Sequence, residues 1–149
     1  MRIDFFLQQS PVFQTSRVAR RIESSLNAAL RQEDLTFSES LMLAAIFLEK
    51  KTVRPSELAR AFETTRGNIS HTLSSLEAKR LIRRRIDPED ARGFQLELEA
   101  AGRRRAARVV GILDRMQSQL ENEIGPAKLE TMLRQMNAVE QLCSQLTRG

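Results

Sequence analysis

Between Arg66 and Ala78 the chain sets short hydrogen-bonding side chains against one side of a helical repeat and branched apolar ones against the other. At about 100° per residue, Leu73 and Leu76 fall within about 40° of Ile69 and form the face to be buried. Gly67, His71, Ser74 and Ala78 lie opposite, with Ser70 beside them and Asn68 on a flank. No Asp or Glu occurs in this stretch before Glu77. A solvated helix face usually carries Glu and Lys. A face pressed on base edges needs short donors and acceptors, and no carboxylate turned towards phosphates. Arg66, Asn68, Ser70, His71 and Ser74 are therefore candidates for reading or framing a major groove. Gly67 costs about 1 kcal/mol against Ala in a helix interior, less near an N-terminus, and would permit close backbone approach.

Two arginine runs follow. Arg83-Arg84-Arg85 could be a solubilising strand face, but beside such a helix phosphate contact is the better reading, with Arg84 and Arg85 as the candidates. Arg103-Arg104-Arg105 opens a helical stretch, where the macrodipole disfavours cations; an external anion and a neighbouring carboxylate explain it equally well. The net charge is +5, and its distribution says more than its size. Residues 52–108 hold 13 Lys+Arg and 8 Asp+Glu, whereas the rest of the chain holds 11 of each. The whole excess lies in the middle segment.

Other chemistries find little support. His71 is the only histidine, and contact with a base or phosphate suits it better than a metal or a pH switch. Cys143 is the only cysteine, which excludes an intrachain disulfide and a cysteine zinc site within one chain and fits a reducing cytoplasm. In its helical stripe Cys143 reads as a small packing residue rather than a redox sensor. No phosphate-cradling glycine loop and no evident paired carboxylates suggest an enzyme. No cofactor or metal is expected. With no Trp or Tyr, stacking on single-stranded nucleic acid is disfavoured. Phe5-Phe6-Leu7 is too short for a signal-peptide core, and no apolar run reaches the ~18 residues of a membrane span.

The elements that must position these residues are legible as periodicities. Residues 10–33 predict a long helix, with Val18, Ile22, Leu26 and Leu30 recurring every four residues. Thr36 and Glu39 have capping-box spacing ahead of a nearly all-apolar helix running to about Lys50. After the extended link Thr52-Val53-Arg54, Pro55 or Ser56 starts a short helix to Phe62. Glu63-Thr64-Thr65 is the turn before the helix over Arg66–Lys79. The period then becomes alternating: Leu81–Ile86 and Phe94–Leu98 predict a hairpin with a charged tip over Asp87–Gly93. Residues 100–123 and 127–147 predict two further helices broken at Gly125-Pro126. The fold class is mainly α with a small β-hairpin wing: a winged helix-turn-helix over 36–99 within a single 149-residue subunit, flanked by helices at 10–33 and 100–147. Their apolar stripes, Met116, Met132 and Met136 included, exceed what one chain of this length could bury and read as dimer surface.

The chain resembles the MarR (multiple antibiotic resistance regulator) family. Pro55-Ser56-Glu57-Leu58-Ala59, Gly67-Asn68-Ile69-Ser70-His71-Thr72-Leu73 and Leu76-Glu77 carry the resemblance. Leu81-Ile82-x-Arg84, Asp87-Pro88-Glu89-Asp90-Ala91-Arg92, Leu96-x-Leu98 and Gly102 continue it. It implies a homodimer joined by first and last helices, a recognition helix in the major groove, and Arg92 in the minor groove, oriented by Asp90. It also implies a small aromatic or anionic effector bound between the dimer helices and the DNA lobe. Arg80 stands where the family often has Gly, so the recognition helix is expected to end differently; Glu99 stands where a Thr often caps the next helix. The expectation is a cytoplasmic, sequence-specific double-stranded DNA-binding regulator, most simply a repressor of a palindromic operator. The rivals are a winged-helix protein-interaction module and a non-specific DNA-binding protein.

Overall fold

A computed structural model describes residues 2–49, 52–88 and 93–146. Seven α-helices and one two-stranded sheet occur among them: α1 (Arg2–Gln9), α2 (Pro11–Leu30), α3 (Phe37–Leu48), α4 (Pro55–Ala61), α5 (Arg66–Ala78), β1 (Ile82–Ile86), β2 (Phe94–Leu98), α6 (Ala100–Ile124) and α7 (Pro126–Leu146). The fold class expected from sequence is therefore the one observed. The chain divides into two compact units, residues 27–113 and a second unit made of residues 1–26 with 114–149.

The central unit holds the core. Leu30, Leu43, Ile69, Leu73, Leu76, Leu81, Ile82, Leu96 and Val109 are almost completely buried and form one cluster with Leu58, Val53 and Ala106. Helix α3 enters through a capping box: Thr36 Oγ1 accepts from the Glu39 N–H at 3.2 Å, and Glu39 Oε2 accepts from the Thr36 N–H at 2.8 Å. Helix α4 starts at Pro55, whose missing N–H is no loss at a first helical position. Its cap is Arg54 rather than Ser56, and Glu57 accepts the Arg54 N–H at 2.8 Å. The strands pair antiparallel, Arg84 opposite Leu96 and Ile86 opposite Phe94, and Val53 adds a single bridge to Leu96.

Helix α5 ends as a glycine-capped helix would, although residue 80 is Arg. Arg80 adopts φ +54°. The Leu81 N–H reaches the Leu76 carbonyl at 3.0 Å, and the Arg80 N–H reaches the Glu77 carbonyl at 2.9 Å. This is a Schellman closure, with buried Leu76 and Leu81 as its apolar contact. The expectation of a different helix end is thus corrected: the closure and the burial of Leu81 over-determine a backbone that an L-residue disfavours. Arg80→Gly should raise the unfolding free energy by about 0.5–1 kcal/mol in urea titration, the left-handed penalty less glycine's greater unfolded-state entropy. A loss of stability would show that Arg80 contributes more through its side chain than its backbone costs.

In the second unit α1 precedes the helix predicted over 10–33, which is observed as α2. Pro11 offers no N–H to the Leu7 carbonyl, and Gln14 Nε2 takes that carbonyl at 2.7 Å. This divides α1 from α2, and Phe6 meets Phe13 edge-to-face at 5.8 Å. At its other end α2 stops at Leu30, and residues 31–33 form a 3-10 turn. Gly125, at φ +90°, separates α6 from α7. Helix α7 buries none of its described residues: Leu133, Met136, Leu142 and Leu146 are exposed, and Cys143 is half-buried. Val12, Phe13, Val18 and Ile22 of α2 are exposed as well. Among the described residues no helix is long and apolar enough to cross a membrane.

Candidate nucleic-acid interface

Helix α5 presents the face expected of it. Thr65 caps it, its Oγ1 accepting the Asn68 N–H at 3.2 Å. Ile69, Leu73 and Leu76 are sunk in the core, while Arg66, Gly67, Asn68, Ser70, His71 and Ser74 are exposed. The Asn68 amide donates back to Thr64 Oγ1 at 3.1 Å. The one carboxylate of the helix, Glu77, lies 3.4 Å from the Arg84 guanidinium.

Arg84 is a strut as well as a cation. It is half-buried and donates from Nη2 to Ser74 Oγ at 3.0 Å, tying β1 to the outer face of α5. Strand alternation separates it from its neighbours. Arg83 and Arg85 point to the other side of the sheet, where both bind Glu97, at 2.7 and 2.8 Å. Hydrogen bonds from Arg85 and Arg83 hold the Glu97 carboxyl below its ordinary range. The arginine run is thus two faces: one neutralised in part within the hairpin, the other turned to the helix.

A cleft of about 450 Å³ lies between α5, the start of α4 and the wing. Arg54, Ser56, Arg66, Ser70, Arg84 and Phe94 line it. Its far wall is anchored by Asp87, whose side chain is 1% exposed and meets Arg54 Nε at 2.6 Å. Gln95 Nε2 donates to the same carboxylate at 3.0 Å, and the Asp87 N–H closes the hairpin on the Gly93 carbonyl at 3.0 Å. Asp87 therefore fixes the base of the wing to the entrance of α4. Asp90 and Arg92, assigned to the wing tip from sequence, lie outside the described residues. Arg103 and Arg104 are exposed on the first turn of α6, and Arg105 is half-buried.

A second buried carboxylate sets the seat of α5. Glu39 accepts from Ser75 Oγ at 2.5 Å and from Lys79 Nζ at 2.9 Å, in addition to its capping bond; Lys79 also donates to the Asp34 carbonyl at 2.6 Å. Burial pushes the Glu39 carboxyl upward, but the bonds from Ser75, Thr36 and Lys79 outweigh it and hold it below the ordinary range. Its folded form thus binds fewer protons than its unfolded form. The stabilisation is complete above the unfolded carboxyl's value of about 4.3 and is lost as pH falls through the lower folded value. Glu39→Gln should cost about 1–3 kcal/mol at pH 7. The gap from the parent should narrow below about pH 4 in denaturant titrations; a gap independent of pH would remove the carboxylate's charge from the account. The sequence showed Glu39 only as a capping residue, and gave no sign of Arg54 meeting Asp87, because both pairings join positions far apart in the chain.

A helix crossing behind a second helix with an exposed polar face, followed by a hairpin that walls a basic cleft, defines a winged helix-turn-helix. Residues 33–93 match the MarR family model. No curated protein matches the sequence. Solved structures share the fold over nearly the whole chain. S. aureus MepR in its DNA complex is 22% identical, with a TM-score of 0.79 over 91% of this chain and 98% of that one. The MarR family transcription regulator SP03579 is 20% identical, with a TM-score of 0.77 over 99% and 95%. M. tuberculosis MOSR in complex with DNA is 26% identical, with a TM-score of 0.72 over 90% and 98%. The fold is that of MarR-family DNA-binding transcriptional regulators.

Proposed function

We propose that the chain is a homodimeric, sequence-specific regulator that binds a roughly palindromic duplex site. The exposed face of α5, free of carboxylates before Glu77 and opening on a cleft lined by Arg54, Arg66 and Arg84, carries this reading. Arg66, Asn68, Ser70, His71 and Ser74 read or frame the major groove, with Arg84 and Arg85 near phosphates. Arg92 enters the adjacent minor groove, oriented by Asp90. Residues 36–99 act as the DNA lobe. Residues 10–33 and 100–147 supply the dimer contact, which suits the exposed apolar faces of α2 and α7. Two-fold symmetry then sets half-sites about one helical turn apart. The likeness to MepR and MOSR, whose structures hold DNA, supports the same reading.

Repression in the cytoplasm is the simplest regulatory outcome. A small aromatic or anionic effector that favours another spacing of the two recognition helices would release the operator by population shift.

The test is selection from a pool of random duplexes at physiological salt. Enrichment of an inverted repeat establishes a dimeric, sequence-reading protein. Retention without sequence preference would leave only a non-specific electrostatic binder. On the enriched duplex, Arg92→Ala should weaken binding by about tenfold or more while sedimentation still reports a dimer. Unchanged affinity would remove the wing tip from the mechanism.

A further inference from the structure

We infer that the wing makes a nonionic contact with the duplex, the cross-strand pair Ile86 and Phe94 packing on deoxyribose walls beside the arginine-lined cleft. The inference rests on the DNA-binding reading above and adds a second kind of contact to it. Alternation places Ile82, Arg84 and Ile86 on one face of the hairpin, opposite Leu98, Leu96 and Phe94. That face begins inside the core, where Ile82 and Leu96 are each 2% exposed. It runs outward past the edge of the core, so that Ile86 is 71% exposed and Phe94 47%. The other face is polar where it meets solvent, with Arg83, Arg85, Gln95 and Glu97. The wing's exposed apolar pair therefore lies on the side that looks over the cleft, and Phe94 is part of the cleft wall.

Exposed apolar side chains standing together on a strand gain free energy only when something covers them. The surroundings say what fits. Arg54, Arg66 and Arg84 line the same cleft and suit a phosphate backbone. In a duplex, the apolar surface that comes with phosphates is the sugar wall of the groove. Ile and Phe are among the apolar side chains that minor-groove binders press into a duplex, there as wedges between base steps. A wholly apolar protein surface would instead have to desolvate these guanidinium groups.

The experiment compares the parent with Ile86→Thr, Phe94→Thr and the double variant, on the duplex enriched by selection and across a salt series. Threonine keeps the strand preference of both residues while removing most of the apolar surface. The double variant should bind about tenfold more weakly or worse. Its slope of log affinity against log salt should equal the parent's, because no phosphate contact has gone. Melting and sedimentation should not change. Equal affinity in a folded double variant overturns the inference, and so does a flattened salt slope. Loss of self-association with DNA affinity intact assigns the pair to a contact between copies and overturns it too. If the double variant melts early, Phe94→Leu and Phe94→Thr decide: the first must bind as the parent does and the second must not. A parent that binds no duplex sinks both this inference and the DNA-binding reading; a parent that binds, with variants that bind equally well, sinks this one alone.

Discussion

Gly102→Ala should destabilise the central unit by about 3 kcal/mol or more, enough to shift its urea midpoint far below the parent's. Gly102 is buried in the first turns of α6. A methyl group there would fall into the Leu81 carbonyl oxygen and lie 2.8 Å from the carbonyl carbon. Both neighbours are backbone, and that backbone cannot give. The Leu81 N–H closes α5 on Leu76, its carbonyl accepts the Glu99 N–H at 2.9 Å, and its side chain is 1% exposed. Movement of Leu81 would open the cap of α5 and the start of α6 together. The sign makes the test sharp. In a helix without this contact, Gly→Ala would stabilise by about 1 kcal/mol, since Ala has the better propensity. A stabilised or neutral variant would therefore show that α6 does not rest on the Leu81 carbonyl.

Gly102 also shows which parts of the fold were legible. Its place in the motif was visible in the sequence, but its reason was not, since the reason is a contact with residue 81 across the hairpin. Elements that rest on local rules were read well. Thr36 and Glu39 form the capping box their spacing announces, and the wheel of α5 sorted buried from exposed side chains correctly. The strands over 82–86 and 94–98 followed from alternation, because one face of each must meet the core while the other meets water.

What escaped was non-local or depended on one group replacing another. Helix α1 was not expected, because its only apolar signal is the short patch Phe5-Phe6-Leu7; Gln14 makes the break at Pro11 tolerable by taking the orphaned Leu7 carbonyl. Asp87 looked like one turn residue among several. Only the fold shows it buried against Arg54, a residue read as part of an extended link. The run Arg83-Arg84-Arg85 read as one basic tract, yet the pleat sends its middle member towards α5 and the outer two to Glu97. Charge counts along the chain located the basic segment; they could not say which of its cations would be met internally.

Ser70→Glu should abolish most duplex binding, by about a hundredfold or more, without harming the fold. Ser70 is exposed on α5 and lines the cleft with Arg66 and Arg84. A carboxylate there acts twice. It meets phosphates with like charge, and it stands one helical turn from Arg66, an i, i+4 spacing that lets it neutralise a cation of the site. Like-charge juxtaposition at an interface costs several kcal/mol, and a hundredfold is about 2.7 kcal/mol. Glu has slightly better helix propensity than Ser, so the melting midpoint should hold or rise a little. Ser70→Gln, of the same length without the charge, separates bulk from electrostatics and should retain most of the binding. If Ser70→Glu binds within a few-fold of the parent on the enriched duplex, the outward face of α5 does not meet DNA. The absence of carboxylates before Glu77 would then be an accident of composition, not a property of an interface.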